Sequence, residues 1–298
     1  MQSELLDIIK RDFIASQEIE YGLNDLESIC LVVGPYRNLT TLLSAIVSLH
    51  PNIQVLNHAF ERVLTIKNIN FFDEFQIEKL DSFIKYVIYI SASGTRGSFG
   101  GSILHSHAFA NYPGMQAAYT NRYGKQTVKK NIKSIFWKES LTVTRYLQNL
   151  PEKSLDSLLE NNKKIKLLLP IRNPIDCGIS NLKTGSMAKE LTGKKLPELR
   201  DAFTAIIKIF EWFQDIKRDH PEQTIIITQR DLENKSISSI SSFLGVKETS
   251  EWTEDIINST SIKPSYVIDN EITNLFTEII NKSNLSVSLK NLVMNQIN

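Results

Sequence analysis

Two stretches of the sequence gather groups that bind anions. In the first, Gly34-Pro35-Tyr36-Arg37-Asn38-Leu39-Thr40-Thr41-Leu42 follows a short apolar run and precedes a helical pattern. A strand that turns into a helix aims free backbone N–H groups at one point, and the helix dipole favours negative charge there, so the place suits phosphate or sulfate. Arg37 and the hydroxyls of Thr40 and Thr41 add side-chain donors. Taken alone, the stretch also fits an ordinary strand–helix turn capped by threonine. In the second, an apolar run ends at Arg172, and Asn173-Pro174 opens a helical pattern that carries Ser180 about two turns on. Arg172 thus stands at the C-terminal end of a strand, where open α/β sheets bind ligands, and Ser180 can point toward the same anion.

Other chemistries lack their patterns. No Walker lysine is present and Leu39 stands where a closing glycine would, which disfavours a nucleotide triphosphatase or a nucleotide kinase-like protein. Neither His-Glu-x-x-His nor Cys-x-x-Cys occurs, so no metal is expected. Five histidines are available as proton carriers. His50 and His220 each precede a proline and read as a helix-end cap and a surface turn; His105 and His107 alternate after a glycine-rich stretch; His58 follows a short apolar run.

The elements that must position these groups alternate between strand and helix. Strands are expected at Ile29–Val33, Ile53–Leu56, Tyr86–Ile90, Ile165–Ile171 and Thr224–Thr228, from apolar runs bounded by turn residues. Helices are expected at Ser3–Ala15, Thr40–Leu49, Pro174–Leu182, Leu196–Arg218 and Asp231–Leu244, the last closed by Gly245. Such alternation predicts an α/β fold of three layers, a central, mainly parallel sheet with helices on both faces. No linker divides the chain, so residues 1–298 read as a single domain, with 94–150 as an inserted or lid-bearing segment.

Together the two anion-binding stretches resemble the sulfotransferase superfamily that uses 3′-phosphoadenosine 5′-phosphosulfate (PAPS). Arg37-Asn38-Leu39-Thr40-Thr41-Leu42-Leu43 is similar to the family's P-R-S-G-T-T-L-L loop, with Asn38 for Ser and Leu39 for Gly. Arg172, Pro174 and Ser180 match its R-x-P-x-x-x-x-x-S stretch. His50-Pro51 falls where the family often has His-Pro, and Arg230-Asp231-Leu232 with Phe243-Leu244-Gly245 resembles a later family segment in which Arg230 replaces Glu. The resemblance implies a P-loop-like sulfotransferase fold and sulfuryl transfer from PAPS to a hydroxyl-bearing acceptor, a small molecule or a glycan, by in-line displacement without metal. It implies that Arg37 through Leu42 hold the phosphosulfate and that Arg172 and Ser180 hold the 3′-phosphate. Phe136-Trp137-Lys138-Glu139-Ser140 resembles the family's K-x-P segment at the start of a helix, with Ser140 for Pro, which makes Lys138 the cation on the leaving oxygen. His58 lies where the branch that sulfates protein tyrosines keeps a catalytic Glu, so it is the expected base. His105, His107 and Arg96 are assigned to the acceptor side, where Gly94–Gly101 reads as a mobile loop. The alternative is a non-catalytic anion- or nucleotide-binding module on the same fold, suggested by Leu39, Ser140 and Arg230.

Composition sets the outer bounds. The chain has 298 residues, 34 Lys+Arg against 33 Asp+Glu, and 42% hydrophobic residues. This is ordinary globular composition, and near-neutral charge gives no argument for nucleic acid. No apolar run approaches the ~18 residues of a membrane span, two cysteines make no disulfide framework, and Met1–Phe13 lacks the form of a secretion signal, so a cytoplasmic protein is expected. Charge is uneven: no acid occurs between Asp81 and Glu139, while Lys85, Arg96, Arg122, Lys125, Lys129, Lys130, Lys133 and Lys138 do. Such a run is either a solvated face or a surface turned to an anion.

Overall fold

Ser28–Val32 forms strand β1, and its side chains divide the interior in two. Ile29 and Leu31 enter one apolar cluster, Cys30 and Val32 the other, as the two-residue period of a strand requires. A strand buried on both faces suits parallel pairing under two helical layers. The computed structural model describes residues 2–93, 101–124, 128–151, 154–234, 236–259, 266 and 269–297.

In chain order α1 (Gln2–Ser16) precedes β1, followed by α2 (Thr40–Ser48), β2 (Ile53–Asn57), α3 (Phe60–Thr65), α4 (Ile77–Ser93), α5 (His107–Asn111) and α6 (Pro113–Tyr123). Then come β3 (Ser134–Lys138), α7 (Leu141–Gln148), α8 (Ser154–Asn161), β4 (Ile165–Ile171), α9 (Pro174–Leu182), α10 (Gly185–Thr192) and α11 (Leu199–Asp219). The chain closes with β5 (Thr224–Thr228), α12 (Gln229–Glu233), α13 (Ser238–Leu244), α14 (Ser250–Ser259), α15 (Asn270–Asn281) and α16 (Val287–Met294). The strands form one sheet in the order β2-β3-β1-β4-β5, every pairing parallel. The expected α/β architecture is therefore present. Side chains of α4, α7, α9 and α11 fill one face, and those of α2, α5, α6 and α13 the other.

Local chemistry explains the boundaries near the strand ends. Asn173 caps α9 by accepting from the N–H groups of Ile175 and Asp176, and Pro174 occupies the first turn, where its missing N–H costs nothing. Gly178 lets α9 approach α11, since a Cβ there would meet Phe203 Cε1 at 2.5 Å. Along α11, Phe203, Phe210 and Phe213 are fully buried at helical spacing, each contributing roughly 1.5–3 kcal/mol.

Five expectations are corrected. Tyr86–Ile90 is not a strand but part of α4, where Tyr86, Val87, Ile88 and Ile90 are buried in a helix that packs on β2 and α1. A fully buried helix shows no polar alternation, so a short apolar window cannot be told from a strand. The missing sheet member is β3, which falls inside the segment 94–150; Phe136-Trp137-Lys138 ends this strand, and the helix starts only at Leu141. Asp231–Leu244 divides into α12 and α13, and α11 begins at Leu199, leaving Leu196 exposed. His220 is buried rather than on a surface turn, with Nε2 3.0 Å from Asp156 Oδ1.

The described members of the acid-free run are dispersed rather than gathered on one surface, and Arg96 and Lys125 lie outside the described residues. Arg122 pairs with Asp255 at 2.6 Å, and Lys133 donates to the Asp25 carbonyl. Lys129 is buried, and its Nζ donates to the carbonyls of Ser48, His50 and Ile53 while lying 4.7 Å from the Tyr123 ring centroid. Burial pushes its pKa well down, yet all three donors of an ammonium meet acceptors that tie the end of α2 to the start of β2. Lys129→Met should therefore lower unfolding stability by about 1–3 kcal/mol, because the carbonyls lose their partner. The check is the urea midpoint, with an unchanged slope expected.

Candidate active site

All five strands point the same way, so their C-terminal ends share one edge of the sheet, and the loops leaving β1, β2, β3 and β4 converge there. They enclose a cavity of about 570 Å³. Arg37 to Leu42, His58, Lys138, Arg172 and Ser180 all line it, so ten residues predicted from sequence meet in one place. His107 lines it too; His105 is exposed and outside the lining, and Arg96 lies outside the described residues. Sequence reasoning did not single out Tyr36, Asn111, Tyr112, Ser140, Met187 or Tyr266 as part of this wall. Among the described residues no Asp or Glu lines the cavity, so the described wall is cationic and neutral.

The loop after β1 is built by backbone reversal. Gly34 has φ +123°, and a Cβ there would meet Leu169 Cδ1 at 2.8 Å. Its N–H donates to Thr144 Oγ1 at 2.7 Å, which joins the loop to α7. Arg37 and Leu39 are also left-handed, at φ 61° and 64°, conformations that cost a side-chain-bearing residue roughly 1–2 kcal/mol each. Leu39 is thus the N-cap of α2, holding a conformation natural to the glycine it replaces. The first N–H groups of α2 find no carbonyl within the helix and open toward the cavity wall formed by Thr40, Thr41 and Leu42.

Asn38 fastens this loop to the second one. Its buried amide donates to the Pro170 carbonyl and accepts from Arg172 N–H at 3.1 Å. Arg172 in turn donates to the Arg37 carbonyl at 3.3 Å and to Asp176 Oδ2 at 3.2 Å, while its buried Nε has no partner. Asp176 is wholly buried behind it. An arginine anchored from behind, with its side chain on the cavity wall, suits an anion arriving from the cavity. Ser180 lies on the same wall, within α9, the helix that follows Arg172. Cys177 beside them is buried, which pushes its thiol up to about 12 despite the charge of Arg172, so it is no thiolate nucleophile.

The opposite wall comes from the β2–β3 pair. Their register sets Asn57 against Lys138, and so brings His58 beside Glu139. His58 N–H donates to the Lys138 carbonyl at 3.0 Å and Trp137 Nε1 donates to the His58 carbonyl at 2.7 Å. His58 and Ala59 both take positive φ, 64° and 80°, reversing the chain at the strand end. The ring, about a third exposed, then lies with Nε2 2.8 Å from Lys138 Nζ and Nδ1 3.4 Å from Glu139 Oε2. Glu139 was missed because its proximity to His58 arises from strand register, which no local pattern reveals. Of the remaining histidines, His50 is buried and bonds the Lys247 carbonyl, and burial lowers its pKa. Among the described residues no cluster of His, Cys, Asp and Glu is placed to hold a metal ion, and no helix is long and apolar enough to cross a membrane.

A family model, the sulfotransferase domain, matches residues 28–283. No curated protein matches the sequence. Among solved structures the chain is similar to the sulfotransferase STF9 of Mycobacterium avium, at 10% identity and TM-score 0.45 over 94% of this chain and 82% of that one. It is also similar to mouse sulfotransferase SULT7A1 complexed with PAP, at 12% identity and TM-score 0.44 over 90% and 89% of the two chains. A sulfotransferase from Alicyclobacillus acidocaldarius gives 15% identity and TM-score 0.42 over 89% and 94%. These pairwise likenesses are distant; the family match over most of the chain is what identifies it.

The geometry makes Asn38 a test of how the two loops cohere. Asn38→Ala should lower unfolding stability by about 1–3 kcal/mol, since it leaves a buried carbonyl and a buried N–H unpaired. Chemical denaturation measures it, and a loss near zero would mean that the loops hold together without this amide.

Proposed function

The chain belongs to the sulfotransferase domain family, and from that premise we propose that it moves a sulfuryl group from PAPS to a hydroxyl on a small molecule or a glycan. The observation that most supports this reading is the convergence of His58 Nε2 and Lys138 Nζ, 2.8 Å apart, in the cavity that Arg37, Arg172 and Ser180 also line. The guanidinium of Arg172 on the cavity wall, the α2 N-terminus and the lack of acidic lining among the described residues fit a ligand with two anionic groups. Arg37, Thr40, Thr41 and the N–H groups of Asn38 to Leu42 would hold the phosphosulfate, and Arg172 with Ser180 the 3′-phosphate. When bound, PAPS supplies an activated sulfuryl group on a stable leaving group.

The chain's own residues then have distinct tasks. His58 Nε2 takes the proton of the acceptor hydroxyl, a role worth roughly 10²–10⁴-fold. Lys138 meets the charge that develops on the leaving oxygen, and Arg37 orients the anion for in-line attack. His107, Asn111 and Tyr112 lie on the cavity wall and would meet the acceptor. The competing reading, an anion-binding module without turnover, draws on Leu39, Ser140 and Arg230. Leu39 weakens it, because this residue adopts the left-handed geometry of the glycine it replaces.

Two measurements test the proposal. In calorimetry 3′-phosphoadenosine 5′-phosphate should bind far better than AMP, and Arg172→Ala should weaken it about tenfold or more, as the loss of a charge-assisted hydrogen bond predicts. Equal affinity for AMP would remove the 3′-phosphate assignment. His58→Ala should cut turnover at least about a hundredfold while leaving binding of the spent nucleotide nearly unchanged; full turnover in that variant would move the base elsewhere.

A further inference from the structure

The geometry points to Glu139 as the positioning residue that makes Nε2 of His58 the basic nitrogen. Lys138 Nζ lies 2.8 Å from Nε2, and an ammonium has only hydrogens to offer, so Nε2 accepts and carries no proton. The single ring proton of neutral His58 is then on Nδ1, which faces Glu139 Oε2 at 3.4 Å. Glu139 is itself held in place: its side chain is only 7% exposed, and Oε1 accepts from the Phe60 N–H at 3.2 Å. One carboxylate therefore joins the ring to the start of α3, just beyond the two left-handed residues that turn the ring toward the cavity.

Each half of this arrangement has a consequence. While Lys138 rests on Nε2, the base is covered, and movement of that ammonium toward an anion uncovers a lone pair already aimed into the cavity. When Nε2 accepts the proton of a hydroxyl, the Nδ1 proton stays where it is, and the resulting imidazolium has an anionic partner behind it. Glu139 touches neither the anion nor the acceptor; it acts through His58. The kinetic part of this inference rests on the sulfotransferase reading, whereas the tautomer part rests only on the ligand-free protein.

The test uses the full chain with ¹⁵N-labelled histidine at a pH where His58 is neutral. In the wild type the His58 signals should show protonated Nδ1 and bare Nε2. In a Lys138→Met background, where no ammonium holds Nε2, His58 should still show protonated Nδ1; there Glu139→Ala should give a mixture of tautomers, while Glu139→Gln, which keeps an acceptor oxygen and nearly the same shape, should retain Nδ1–H. In sulfuryl-transfer assays both Glu139 variants, with Lys138 intact, should lose at least about tenfold in kcat, with KM for PAPS and affinity for 3′-phosphoadenosine 5′-phosphate within about twofold of wild type. In a His58→Ala background Glu139→Gln should cost nothing further. A wild type with protonated Nε2, or a Glu139→Gln loss of equal size with and without His58, overturns the inference. Absence of nucleotide binding and turnover in the wild type would instead overturn the functional reading, and the tautomer comparison would still decide the role of Glu139.

Discussion

Parallel pairing around β1 is the constraint from which the rest follows. Because β3 and β4 flank β1 in the same direction, the chain leaves all three strands at one edge. The loop carrying Arg37, the end of β3 carrying Lys138 and the start of α9 then have to share a small volume. Parallel strands need covered faces, and the chain meets this with two apolar clusters divided by the alternation of β1 itself. An antiparallel neighbour would place one of these ends at the far edge of the sheet, so site and topology form one arrangement.

Asn38 shows how that shared edge becomes a single binding surface. The loops carrying Arg37 and Arg172 lie far apart in sequence, and each alone is an ordinary strand–helix turn. One side-chain amide spans them, answering a carbonyl on β4 and the N–H of Arg172. The loop it resembles has serine at this position, and the longer amide of Asn38 supplies the tie between the loops. Leu39 is the costlier departure, since a side chain is held at φ 64°, and its half-buried packing against the α2 side of the core offsets part of that strain.

Much of this was legible in the sequence, for identifiable reasons. Ile165–Ile171 and Thr224–Thr228 stand out because their apolar runs are bounded by turn residues, and both strands lie where they were expected. The cationic wall was legible because Arg37, Arg172 and Ser180 follow local strand-to-helix spacing. What stayed hidden is non-local. Tyr86–Ile90 has the composition of a strand and folds as a buried helix because α1 covers its outer side. β3 hid behind its short length and the polar residues around it. The neighbourhood of His58 and Glu139 exists only through the β2–β3 register, and register is a property of the folded sheet.

The two walls of the cavity are built on the same principle. At one, Arg172 faces the cavity with the fully buried Asp176 behind it; at the other, His58 faces the cavity with the nearly buried Glu139 behind it. A carboxylate in the cavity itself would repel an anion, but one placed behind the donor fixes its direction and leaves the mouth positive. Each of these carboxylates also accepts from a backbone N–H, that of Tyr266 for Asp176 and that of Phe60 for Glu139, so neither depends on its side-chain partner alone. This differs from the surface pair of Arg200 and Glu278, where solvent screens the charges and flexible side chains lose order, so little is gained. In the cavity the same pairing of charges fixes the direction of a guanidinium and of an imidazole ring, and such fixed direction is what aligned chemistry at this edge would require.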